Sequence, residues 1–136
     1  MKKFNYLDTI LFPAITEKAT SLSGVPYSFE ILKKLRFFNM DLPYLKTITQ
    51  AGGKLNDGLI LEYAEYCKKK GNRFFVMYGQ TEATARMSYL PHEYSINKLG
   101  SMGIAIPGGE FSLIDEDGNI IDEHEIEGEL VYRGSN

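Results

Sequence analysis

Two glycine-bearing turns carry the residues best suited to chemistry. One reads Thr49-Gln50-Ala51-Gly52-Gly53-Lys54-Leu55 and the other Tyr78-Gly79-Gln80-Thr81-Glu82. Glycine has no Cβ, so a ligand can lie close against such backbone. Tyr78 offers a flat ring face for stacking a base. Thr81 offers a hydroxyl and a backbone N–H for a phosphate oxygen. Glu82 offers a hard carboxylate oxygen for Mg²⁺. A base, a phosphate and a metal can thus be accommodated in order along Tyr78 to Glu82. The same residues also read as a plain strand-to-loop turn, with Tyr78 half-buried and Glu82 solvated.

In open α/β sheets ligands bind at the carboxyl ends of strands. The two turns form one site only if their strands run parallel and adjacent. Leu45, Thr47 and Thr49 alternate with Lys46, Ile48 and Gln50, which predicts a strand before the first turn. Phe74, Phe75, Val76 and Met77 form a continuous apolar run before the second. Such a run fits a strand buried on both faces. Between them, Leu55 to Lys70 reads as a helix, with Asn56 as N-cap and Leu59, Ile60, Tyr63, Ala64 and Cys67 inward. Lys68, Lys69 and Lys70 complement its dipole, and Gly71 terminates it.

Upstream, Phe4, Leu7, Ile10 and Leu11 repeat at helical spacing, with Pro13 expected to end that helix. Ala19 to Val25 suggests a short strand closing at Gly24. Pro26 suits the first turn of a helix in which Phe29, Leu32, Leu35 and Phe38 share a face. Downstream, strands are expected at 85–90, 110–114, 119–122 and 127–133, with a loop at 91–97. Asp117-Gly118 is a hairpin signal between the second and third of these strands. The expected fold class is α/β, a partial parallel sheet with flanking helices followed by an antiparallel β segment. The chain is expected to be a single partial domain over 1–136. Residues about 19–84 would carry the nucleotide-site half and about 85–136 a mainly β half.

Composition narrows the function. The chain has 136 residues, 43% apolar and 24% charged, with a net charge of −3. That supports a packed core and argues against disorder. A sequence pI of about 5.4 argues against nucleic-acid binding, which favours a basic surface. No apolar run approaches the roughly 20 residues of a membrane-spanning helix. Residues 1–20 lack a signal-peptide pattern, so a cytoplasmic protein is expected. The single Cys67 excludes an intrachain disulfide and a multi-cysteine metal site, and reads as a buried, inert thiol. His92 and His124 have no partner at ligand spacing. Lys68 to Lys70 read as a solvated helix end. The acidic residues between Asp115 and Glu127 read as a solvated hairpin. Lys54 suits a helix start or surface position, with a phosphate contact as the alternative.

The segment VMYGQTEATARMSYLP, residues 76–91, resembles the adenylate-forming superfamily. These acyl-CoA synthetases and adenylation domains make acyl-AMP from a carboxylate and ATP. Family-like segments follow the same order elsewhere: SGVPYSFEIL (23–32), TQAGGKL (49–55), GSMGIAIPGGEF (100–111) and EGELVYRGSN (127–136). The resemblance implies that Ala51, Gly52 and Gly53 lie against adenine and that Tyr78 stacks on it. It implies that Thr81 contacts the α-phosphate and Glu82 helps hold Mg²⁺, the two catalytic assignments. Gly79 and Gln80 complete the nucleotide-binding set. Gly79 and Ala83 would border the acyl pocket, and the 100–107 stretch would border the site less directly. His92 stands where many relatives carry a second Pro.

Several family parts have no counterpart in these residues. They are the Ser/Thr/Gly-rich phosphate loop, the upstream acyl-pocket motif, the ribose-binding Asp and the C-terminal domain with its catalytic Lys. The resemblance therefore implies the central fragment of a large N-terminal domain. Such a fragment is expected to bind adenine nucleotide weakly, to be inactive alone, and to leave the carboxylate substrate unspecified. Exposed edges predict a homo-oligomer or a complementing chain. The alternative is a non-catalytic interaction or assembly module completed by another chain.

Overall fold

A computed structural model describes residues 12–135. A short helix, α1 (Phe12–Thr16), leads into strand β1 (Ser21–Gly24). Pro13 lies inside α1 and does not mark a helix end; the helix expected over Phe4 to Leu11 falls outside the described residues. Next come α2 (Pro26–Lys34), β2 (Thr47–Gln50), α3 (Asp57–Lys70) and β3 (Arg73–Tyr78). Strands β1, β2 and β3 pair in parallel, as expected.

Local chemistry sets the boundaries. Pro26 opens α2, where a missing N–H is harmless. The helix stops at Lys34 rather than running through Phe38, because Arg36 takes a left-handed conformation with φ 60°. A 3₁₀ turn at Phe37–Asn39 then carries Phe37 into the core, where it is fully buried. Helix α3 follows its predicted signals. The Asn56 side chain accepts from the Gly58 N–H at 2.9 Å, and Gly71 closes the far end at φ 73°.

The register aligns Leu22, Ile48 and Phe74 across the three parallel strands. Helices α2 and α3 pack on that face through Phe29, Leu32, Ile60, Tyr63, Ala64 and Cys67. Tyr63 is the centre of this core. Its hydroxyl donates to the Phe29 carbonyl at 3.0 Å, and its ring meets Phe29 edge-on at 4.9 Å. Burial raises the Tyr63 phenol pKa and pushes the Cys67 thiol up to about 12. In β3, Phe74 is buried, but Phe75, Val76 and Met77 are only partly covered. The helices lie on one face, so the expected burial on both faces does not hold among the described residues.

The sheet continues through β4 (Ser88–Leu90) and β5 (Ile104–Ala105), both antiparallel, in the order β1-β2-β3-β4-β5. β4 begins at Ser88, later than the expected 85, because residues 79–87 fold back on themselves. A separate two-stranded ribbon pairs β6 (Gly109–Ile114) with β7 (Glu129–Gly134). The Asp117-Gly118 turn forms, held by Asp115 Oδ1 accepting from the N–H groups of Asp117 at 3.0 Å and Asn119 at 2.8 Å. Those hydrogen bonds, the Asn119 N–H first, hold the Asp115 carboxyl below its ordinary pKa. The strand expected at 119–122 is reduced to a single bridge between Ile120 and Ile114. Asp122 to Glu125 are exposed, and Glu125 turns the chain away at φ 63°.

Candidate functional site

The register places Gly24, Gln50 and Val76 side by side near the carboxyl ends of the three parallel strands. Both predicted turns therefore leave the same edge of the sheet. The Ala51 N–H donates to the Gly24 carbonyl at 3.1 Å, which ties the first turn to β1. Gly52 and Gly53 then adopt φ values of +76° and +145°. A side chain at Gly52 would meet Val25 Cγ1 at 3.1 Å, and one at Gly53 would meet Pro26 Cγ at 3.3 Å. The diglycine bend thus lies flat on the junction between β1 and α2. Leu55, 1% exposed, anchors its far end in the core.

The second turn is a closed loop between β3 and β4. The Met87 N–H donates to the Tyr78 carbonyl at 2.7 Å, and the Gln80 N–H donates to the Thr84 carbonyl at 3.0 Å. A Cβ at Gly79 would overlap the Ala85 carbonyl, so only glycine lets the loop double back here. The Gln80 carboxamide donates to the Tyr78 hydroxyl at 2.6 Å and steadies that ring. Tyr78 is half-buried, whereas Gln80, Thr81, Glu82 and Ala83 are exposed on the loop.

Two cavities flank these loops. An apolar cleft of about 430 Å³ is lined by Gly53 and Tyr78 among others, with Val76, Met77 and the 100–102 stretch at its sides. A wider cavity of about 740 Å³ opens toward Ser23, Ala51, Gln80, Thr81 and Ala83. Gly52 and Gly79 border both, so the two glycine turns form the partition between them. Glu82 lines neither cavity and stands at the loop tip. Among the described residues no group of three or more His, Cys, Asp or Glu side chains could hold a metal. Glu82 can therefore offer one carboxylate, which suits Mg²⁺, an ion that habitually keeps waters and phosphate oxygens as its other ligands.

The sequence profile of the AMP-binding enzyme family matches residues 1–136. The chain belongs to that family. Its members named here are longer. The 2-succinylbenzoate–CoA ligase of Geobacillus kaustophilus is 39% identical over 72 residues, which is 53% of this chain and 14% of that enzyme. The long-chain-fatty-acid–CoA ligase of Salmonella typhimurium is 29% identical over 116 residues, 85% of this chain and 20% of that one. The O-succinylbenzoate Coenzyme A synthetase (MenE) of Bacillus subtilis, solved in complex with AMP, superposes with a TM-score of 0.75 at 27% identity. That match covers 98% of this chain and 26% of MenE, so the chain spans about a quarter of that enzyme. The same enzyme has also been solved with ATP and magnesium ion, with a TM-score of 0.76.

Within this AMP-binding fold, all the residues singled out in the two turns lie on one edge of the sheet. Gly53 and Tyr78 line the smaller cleft, Ala51, Gln80 and Thr81 the larger, and Glu82 lies beyond both. Three further contributors, Ser23, Thr49 and Gln50, stand in the segments read from the sequence, which gave them no individual role. Gln50 is 1% exposed and donates to the Gly53 carbonyl at 2.7 Å. Ser23, which lines the larger cavity, shares a hydrogen bond with Thr49 at 2.6 Å. A polar residue ending an alternating strand was the available signal for Gln50. Nothing in the sequence pairs Ser23 with Thr49 until the strand register is known.

Proposed function

We propose that this chain forms the adenine-side wall of the ATP site in an AMP-forming acyl- or aryl-CoA ligase, which activates a carboxylate as acyl-AMP. The observation that carries this reading is the smaller cleft itself, with an aromatic ring on one side and a side-chain-free bend on the other. Tyr78 would stack on adenine, and Gly52 and Gly53 would let the flat base approach the backbone. Thr81 would donate its hydroxyl to the α-phosphate. Glu82 would supply one ligand to Mg²⁺, whose charge offsets the build-up of negative charge when carboxylate meets phosphate. The larger cavity, bordered by Gly79 and Ala83, would receive the carboxylate substrate. ATP-dependent chemistry of this kind fits a cytoplasmic protein.

The 136-residue sequence contains no Ser/Thr/Gly-rich phosphate loop. Each well-placed charge-stabilising group lost typically lowers the rate by about 10²–10³. The isolated chain is therefore expected to bind nucleotide weakly and to release no measurable pyrophosphate from ATP. Calorimetric titration with AMP tests the reading. We expect a Kd on the order of 1 mM, consistent with a shallow, half-enclosed site. The Tyr78→Ala variant should lose the signal, while Glu82→Gln should bind AMP as the parent does and bind Mg-ATP more weakly. A parent chain that gives no heat at several millimolar AMP contradicts the proposal.

A further inference from the structure

Gln50 ends β2 in a buried position, only 1% exposed, where an apolar side chain would suit the core beside it. Burying a carboxamide is unfavourable unless it is hydrogen-bonded. Its Nε2 donates to the carbonyl of Gly53 at 2.7 Å. A carbonyl can only accept, so it is the amide N–H that faces it. Gly52 and Gly53 are both at positive φ, +76° and +145°. Consecutive glycines have the widest conformational choice of any pair, and their unbound ensemble is correspondingly broad. Backbone hydrogen bonding secures Ala51 to Gly24, and the Asn56 side chain secures the start of α3. Among the described residues, the Gln50 side chain supplies the hydrogen-bond tie within the bend between those two anchors. Both Gln50 and Gly53 line the smaller cleft.

We propose that Gln50 is a positioning residue for the nucleotide site. Acting through Gly53, its carboxamide holds the diglycine bend in the one shape that faces Tyr78 across the cleft. The proposal rests on the nucleotide reading given above. Binding then requires no ordering of the bend, and affinity depends on a donor at this atom and not merely on the volume of the side chain.

The test compares the parent chain with Gln50→Met and Gln50→Glu. Methionine matches glutamine in length and has no donor. A buried glutamate regains an O–H donor when protonated, and burial raises its pKa above the ordinary carboxylate range. Adenosine is the probe, because it carries no phosphate to titrate between pH 5.5 and 7.5. Binding is read from the amide NMR shifts of Gly52 and Gly53. Loss of one net hydrogen bond predicts adenosine binding about threefold to tenfold weaker in Gln50→Met, at either pH. Gln50→Glu should match the weak variant at pH 7.5 and return toward the parent at pH 5.5. A purely structural role would lower the unfolding midpoint and leave affinity in the folded state unchanged with pH. Equal adenosine binding by all three folded proteins overturns the positioning role alone and leaves the nucleotide reading standing. A parent chain that does not bind adenosine overturns the nucleotide reading and the inference with it. If Gln50→Met does not fold, the pH response of folded Gln50→Glu decides, and failure of both to fold makes Gln50 a core residue and overturns the proposal.

Discussion

The parallel half and the C-terminal ribbon are secured differently. Every member of the buried hydrophobic cluster lies between Phe29 and Phe74, and none belongs to β6 or β7. The ribbon relies on six register pairs and a half-buried contact between the Phe111 and Tyr132 rings at 5.2 Å. The two candidate loops spring from the secured half. The site's two loops are therefore anchored in the α2–α3 core, whereas the ribbon meets the smaller cleft through Leu130 of β7.

Truncating the two centres should separate the halves most strongly. Tyr63→Ala removes a fully buried ring and should lower stability by about 3–5 kcal/mol, enough to unfold the chain or nearly so. Phe111→Ala removes a partly buried ring and should lower it by about 1–2 kcal/mol. Urea denaturation followed by circular dichroism checks both, and equal effects would erase the distinction.

Two glycines sharpen the comparison within the secured half. Gly79→Ala drives a methyl into the Ala85 carbonyl, so the loop must open, at about 1–3 kcal/mol and with loss of AMP binding. Gly71→Ala meets nothing within 4 Å and is strained only by its φ of +73°, at about 1 kcal/mol with binding retained. Thermal unfolding paired with AMP titration distinguishes them.

pH should stress the halves from opposite ends. Cys67 holds its proton in the fold up to about 12, against an ordinary value of 9.0, and Tyr63 is shifted in the same direction. The unfolded chain therefore gives up these protons first. The Cys67 contribution is complete below pH 9 and is lost as pH rises from 9 toward 12, and that of Tyr63 is complete below pH 10.0 and lost above it. Asp115 is shifted the other way, from 3.8 downward. Its contribution is present above pH 3.8 and is lost as pH falls through the lower folded value. Hydrogen exchange should show the ribbon turn loosening in acid and α3 loosening in alkali. The smallest effect is expected at the exposed Lys33–Glu62 ion pair, 2.6 Å, where Glu62→Gln should change stability by less than about 1 kcal/mol.

Much of the secured half was legible because its signals are local. Asn56, the lysine-rich helix end and Gly71 specify α3 within one segment, and the alternation and apolar run specify β2 and β3. The expected α2 overran because Phe38 sits at helical spacing, whereas the break depends on Arg36 adopting φ 60°. In the ribbon, Asp117-Gly118 announced a turn but not what followed it, since the returning segment bridges β6 at Ile120 and then turns away at Glu125. β5 spans two residues, too short for any pattern to show. At the site, the residue types of Tyr78 to Glu82 were readable directly. The Gln50–Gly53 tie and the Ser23–Thr49 pair were not, because each depends on backbone geometry or register.

A residue-by-residue NMR titration of the chain with AMP asks whether the two turns form one site. Saturable shifts are expected at Ala51–Gly53 and Tyr78–Thr81 together, with Asp115–Asn119 unmoved. Shifts confined to one of the two turns, or centred on the ribbon, would contradict it.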